Sequence, residues 1–207
     1  MGLMYQTALM LGIFFASALF NPCSSQNNIL LKTQPWPTPR SCELCIPIQF
    51  GKLEMHLPPS EIGKILVLGS GDSILHFFPK KDNSLESVHF LTISPDRLIG
   101  TYNRSGFLKE LGITTNEQLF DTLGRLPGEK KSLAMMRRVE HIDTAESYFK
   151  TSRDSIHVYW IKSSLPGGSQ RIYFVINGEE IVYLLAGNVT KELYEAILSN
   201  LHIVNVP

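Results

Sequence analysis

Hydrophobic positions recur with two different periods along this chain, and the switch between them divides it into three parts. Residues 46–57 have extended character and stop at Pro58-Pro59. Two short apolar runs follow, Lys64 to Gly69 and Ser73 to Phe78, separated by Ser70-Gly71-Asp72, whose composition is that of a hairpin turn. Glu86 to Ser94 is apolar on both sides of an alternating pattern and predicts another strand, completing a β-meander. The middle is helical. Ser94-Pro95-Asp96 has the order of N-cap, N1 and N2 residues. Leu108 to Leu111 followed by Gly112 predicts a helix closed by a left-handed glycine. Thr114-Thr115-Asn116-Glu117 fits a capping box opening a helix, on which Leu119, Leu123 and Leu126 recur at helical spacing before Pro127-Gly128 closes it. Lys131 to Tyr148 fits either a further helix or an irregular connection.

The last third alternates again. Ser155 to Lys162 is rich in Ile, Val, Tyr and Trp and is turned by Pro166-Gly167-Gly168. Arg171 to Ile176 returns, Asn177-Gly178 predicts a type I′ hairpin turn, and Glu180 to Ala186 goes back. A final helix carries Val189, Leu193, Ile197 and Leu201 on one stripe and is predicted to cover one face of that sheet. Strands on both sides of a helical middle give an α+β class: an antiparallel sheet, built from an N-terminal meander and C-terminal hairpins, with helices packed on it.

The N-terminus adds an address. Ala8 to Phe20 is free of charge, and Ala16-Ser17-Ala18 suits a signal peptidase. Cys23 stands just beyond, followed by Ser24-Ser25. An apolar stretch, a cysteine and small polar residues resemble the start of a bacterial lipoprotein, with Pro22 where that family carries a small residue. The resemblance covers about 25 residues, and it implies Cys23 as lipid attachment point and contact with a membrane through the N-terminus. Cleavage near Ala18 and an uncleaved anchor are the alternatives. The expected organisation is a signal peptide or anchor over 1–22, a Pro-rich linker over 23–41 and one α+β domain over 42–207. Three prolines between Pro35 and Pro39 favour the extended backbone of a spacer.

Cys42-Glu43-Leu44-Cys45 is a CxxC. Pro47 and the non-helical pattern after it do not supply the helix N-terminus that stabilises a redox thiolate. Ile46 stands where a haem site needs His, and no second CxxC completes a zinc set. In an exported chain the plainer expectation is a Cys42–Cys45 disulfide. No cofactor and no metal site is expected, because the six histidines show no ligand spacing. Charge balances at 19 basic and 19 acidic residues without a basic run, which excludes a nucleic-acid footprint.

The sequence also carries one catalytic pattern. The apolar strand Lys64 to Leu68 runs through Gly69-Ser70 into Gly71-Asp72-Ser73, which resembles the first block of the GDSL (SGNH) hydrolases. Asp154-Ser155-Ile156-His157 has that family's Asp-x-x-His spacing. The resemblance implies Ser73 as nucleophile, His157 as base and Asp154 as its orienting carboxylate. The chain departs from the family in its longer turn, in lacking a Gly-x-Asn-Asp block, and in a strand rather than a helix after Ser73. The aromatic residues Tyr159, Trp160, Tyr173, Phe174 and Tyr183 fit cross-strand core pairs or a ligand surface. The expectation is therefore an exported, membrane-tethered, non-catalytic envelope protein that binds a protein or small ligand on its sheet or helix face. The rival is an exported enzyme, either a serine hydrolase at Ser73 or a thiol oxidoreductase at Cys42 and Cys45.

Overall fold

The computed structural model describes residues 28–39, 43–60, 62–68, 74–79, 87–165 and 168–204. Cys23, Cys42, Ser73 and the whole apolar N-terminal stretch lie outside the described residues. In chain order the elements begin with strands β1 (Leu31–Thr33), β2 (Ile46–Phe50), β3 (Leu53–Leu57), β4 (Ile62–Leu68), β5 (Ile74–Pro79) and β6 (Val88–Ile93). Four short helices follow: α1 (Pro95–Arg104), α2 (Phe107–Leu111), α3 (Asn116–Leu123) and α4 (Lys131–Val139). After a 3-10 turn at Ile142–Thr144 come β7 (Ala145–Arg153), β8 (Ile156–Ser163), β9 (Gln170–Ile176) and β10 (Val182–Gly187), then α5 (Lys191–Ser199) and β11 (His202–Ile203).

Eight strands form one sheet in the order β1-β7-β8-β9-β10-β6-β5-β4. All its neighbours are antiparallel except β1, which runs parallel to β7 with Leu31 opposite Tyr148. The class is α+β, with a mixed rather than purely antiparallel sheet. Strand alternation then sorts side chains onto two faces. Val158, Trp160, Phe174 and Leu185 point to one side, where they meet β2, β3 and α5. Tyr159, Ile161, Tyr173 and Val182 point to the other, where they meet α1 to α4. Leu53, Met55, Leu57 and Phe174 are fully buried, and each such side chain contributes about 1.5–3 kcal/mol through burial.

Several expectations are corrected here. Residues 46–57 do not add to the main sheet. They fold as a hairpin and pair with β11 in a separate three-stranded sheet. The chain reverses at Gly51, whose φ is 58°. A side chain there would place its Cβ 2.6 Å from the Tyr183 hydroxyl, so both backbone and space require glycine. The spacer reading fails for its described part as well. Leu31–Thr33 is a sheet strand, and the Trp36 indole N–H donates to the Leu198 carbonyl at 2.9 Å. The Pro-rich stretch is thus docked onto the domain.

The local signals correspond to the structure more closely, with two shifts of detail. Gly112 closes α2 at φ 67°, and Thr115 caps α3 by accepting from the Gln118 N–H at 3.1 Å. The Gln118 side chain in return accepts from the Thr114 N–H at 2.8 Å, so the capping pair lies one residue later than Thr114 and Glu117. At Asn177-Gly178 only the glycine has positive φ, at 80°, and the Glu179 N–H donates to the Ile176 carbonyl at 3.0 Å. That is the dihedral pattern of a type II turn, since type I′ needs positive φ at both central residues. Lys131 to Tyr148 resolves into α4, the 3-10 turn and the start of β7. Among the described residues no helix is long and apolar enough to cross a membrane.

Candidate functional site

Where Pro35 to Thr38 lies over the sheet, it closes one side of a cleft of about 660 Å³. Its walls carry Trp36 from the docked segment, Phe149 from β7, Trp160 from β8 and Tyr194 from α5. Alternation on β7 and β8 turns Phe149 and Trp160 to the same side as cross-strand partners. Their ring centroids are 6.3 Å apart, and Trp160 lies 4.4 Å from Tyr194 at 41°. Burial, and behind it the charge of Glu195, raises the Tyr194 hydroxyl above its ordinary value.

Polar groups at the cleft are few and mostly committed. The Trp160 indole N–H donates to Gln170 Oε1 at 3.2 Å, and that oxygen also accepts the Ser163 N–H at 3.0 Å. Trp36 is held from behind by the Arg153 guanidinium, 4.7 Å from its ring, in a cation–π contact. Arg153 also donates to the Leu201 carbonyl. Lys162 pairs with Glu146 at 2.8 Å and Lys191 with Glu195 at 3.7 Å, so the mouth carries two lysines, each beside an acid. A concave aromatic wall with a few fixed polar groups is the usual construction of a small-molecule site.

No family model matches the chain, and no curated protein matches it. The residues of the hydrolase pattern are placed as follows. Asp154 stands in the β7–β8 turn at φ 53° and is exposed. His157 does not turn to it. The Ser152 hydroxyl lies 2.8 Å from His157 Nδ1, Asn177 Oδ1 lies 3.0 Å from Nε2, and Glu117 Oε1 lies 3.5 Å from Nε2. With Nε2–H donated to Asn177, Nδ1 is left to accept from Ser152, in the order of hydroxyl, imidazole and orienting acceptor. The cavity beside them, about 230 Å³, is walled by Glu117, Asn177 and Glu179 on the far side of the ring from Ser152. It gives a substrate no seat against that hydroxyl.

Next to His157, the Lys150 ammonium donates to Glu117 at 3.0 Å and Asp121 at 2.9 Å. Burial alone would lower its pKa, but those hydrogen bonds outweigh it and hold the group above its usual value. Lys150 therefore acts as a fixed cation between β7 and α3. Cys45 is disulfide-bonded, to a sulfur outside the described residues. Among the described residues no group of histidines, cysteines and acids is arranged to hold a metal.

Of the five aromatics singled out in the sequence, Trp160 lines the cleft. Tyr159 and Tyr173 face the helices, while Phe174 and Tyr183 lie in the opposite core. Trp36, Phe149 and Tyr194 were missed. A signal for Trp36 was available, because a tryptophan within a proline-rich stretch is poor spacer composition.

Proposed function

We propose that this protein is an exported, membrane-tethered binding protein without catalytic activity, whose ligand is an apolar or aromatic small molecule held in the cleft of Trp36, Phe149, Trp160 and Tyr194. The observation that carries this reading is the docking of the Pro-rich segment, which completes an aromatic wall that the sheet and α5 leave open. The export half rests on the uncharged stretch Ala8 to Phe20 and the cysteine after it. The disulfide at Cys45 suits an oxidising compartment.

Both tryptophans of the chain line this cleft, so tryptophan emission supplies the donor and the Phe149 variant assigns the response to this site. The test is energy transfer from tryptophan to anilinonaphthalene sulfonate added to the purified full chain. Saturable transfer at one probe per chain is expected, weakened about fivefold to tenfold in Phe149→Ala, which removes a wall ring and keeps both donors. Transfer that never saturates, or that Phe149→Ala leaves unchanged, rejects the cleft as the site. Recovery of the protein as a soluble cytoplasmic species on fractionation rejects the address.

A further inference from the structure

A second cavity, of about 610 Å³, lies at the same end of the sheet on its helix side. Gln170 and Arg171 are consecutive on β9, so the first faces the aromatic cleft and the second faces this cavity. Behind Arg171 stands Glu140, the residue that ends α4, with only 8% of its side chain exposed. A buried carboxylate is costly unless hydrogen-bonded, and here two tyrosines provide the bonds. Tyr102 from α1 donates to Oε1, and Tyr173 donates to Oε2 at 2.8 Å. Burial first, then the charge of Glu140, raises both phenols well above their ordinary value, so they stay neutral donors.

With Glu140 satisfied by the phenols, Arg171 is drawn to it, and one of its donors goes to the Tyr173 hydroxyl. Its Nη1 lies 3.8 Å from Glu140 Oε2, within ion-pair range but beyond hydrogen-bond length. A guanidinium has five N–H donors in a planar fork, and a third of this side chain is exposed on the cavity wall. His141 and Ser163 stand on the same wall. The Ser163 oxygen accepts the Leu165 N–H at 3.2 Å, which leaves its own O–H to donate. The acid on the wall, Asp143, is engaged by buried Arg137 at 2.9 Å. Ile161 supplies an apolar floor. Donors at one end and hydrocarbon at the other fit an amphiphilic anion, and a single guanidinium already facing Glu140 matches the one charge of a carboxylate better than the two of a phosphate.

We propose that this cavity is a binding site for a small organic carboxylic acid, its carboxylate on Arg171 and its apolar body over Ile161. This site is separate from the aromatic cleft and does not depend on it. The experiment is calorimetric titration of the full chain with hexanoate and benzoate, beside their neutral amides and inorganic phosphate. The acids are expected to bind at least about tenfold tighter than the amides and than phosphate, without the tryptophan response that marks the aromatic cleft. Arg171→Gln is expected to lose about tenfold or more, and Arg171→Lys to fall between it and wild type. Acids binding no tighter than amides, phosphate binding tighter than the acids, or Arg171→Gln keeping wild-type affinity would each overturn the assignment. Should Arg171→Gln fail to fold, the acid-against-amide comparison on the wild-type chain decides alone.

Discussion

The two faces of the large sheet are closed by different physics. Toward β2, β3 and α5 the interface is almost purely apolar: Phe50, Phe90 and Phe174 pack ring against ring, with Phe90 4.9 Å from Phe50 and 5.4 Å from Phe174. Toward α1 to α4 the strands present tyrosines whose hydroxyls are all caught. Tyr148 donates to the Phe120 carbonyl at 2.9 Å, Tyr159 to Asp121 at 2.8 Å, and Tyr173 to Glu140 at 2.8 Å. Arg137, 1% exposed, donates to the carbonyls of Leu123, Arg125 and Ile29 and to Asp143. The hairpin of β2 and β3 satisfies its backbone within its own sheet, and the terminal Leu198 carbonyl of α5 is met by the Trp36 indole. On the other face four helices meet the sheet, and long side chains with polar tips reach both the carbonyls at the end of α3 and the carboxylates of Asp121 and Glu140. Each face passes its character to its cavity, aromatic on one side and charged on the other.

The contrast is most exposed to alkali. Tyr102, Tyr148, Tyr159 and Tyr173 all lie on the helix side of the sheet, and burial is the largest cause raising each above the ordinary value of 10.0. A group whose folded pKa is raised contributes its stability below the unfolded value and loses it as pH rises. The fold should therefore lose about 1.4 kcal/mol per pH unit for each of the four once pH passes 10, with Tyr194 on the other face adding a single further contribution. Denaturant unfolding at stepped pH measures that slope. Tyr159→Phe should flatten it by about one fifth; a wild-type slope near zero would mean that these phenols titrate alike folded and unfolded.

Substitutions give the next largest effect. Arg137→Met leaves Asp143 and three carbonyls without their donor and is expected to cost about 3–5 kcal/mol. Phe174→Leu on the dry face, with no polar atom orphaned, should cost about 1–2 kcal/mol. Equal losses for the two in chemical denaturation would erase the distinction between the faces.

The smallest expected effect lies at the outer end of the sheet. His76 and His89 face each other from β5 and β6 with their Nδ1 atoms 2.7 Å apart. Burial, then the charge of His76, lowers the His89 pKa below 6.5. A lowered folded value means stability present above pH 6.5 and lost as pH falls. Hydrogen exchange at β5 and β6 should quicken on acidification while β8 and β9 stay protected; uniform exchange across the sheet would count against it.

Much of this was legible from local sequence because its physics is local. The glycine after α2, the cap before α3 and the alternation of β8 and β9 each depend on neighbours within a few residues. The cap at Thr115 shifted by one position because Thr114 and Thr115 are chemically equal there, and only the α3 geometry chooses between them. Arg137 stands in the sequence beside Arg138, and nothing nearby announces that carbonyls from Ile29, Leu123 and Arg125 converge on it. Trp36 and Tyr194 were unreadable as partners for the same reason, being far apart in the chain.

By itself the sequence determined the α+β class, the helical middle between two strand regions, and which residues of each strand share a face, because dihedral preference and alternation act over a few residues. Only the tertiary structure decided that β1 joins the sheet parallel to β7, that the hairpin of β2 and β3 leaves it to pair with β11, and that Arg171 and the four aromatics sit in opposite cavities. Those outcomes depend on long-range pairing, where many registers satisfy the local pattern and packing of the whole core selects one.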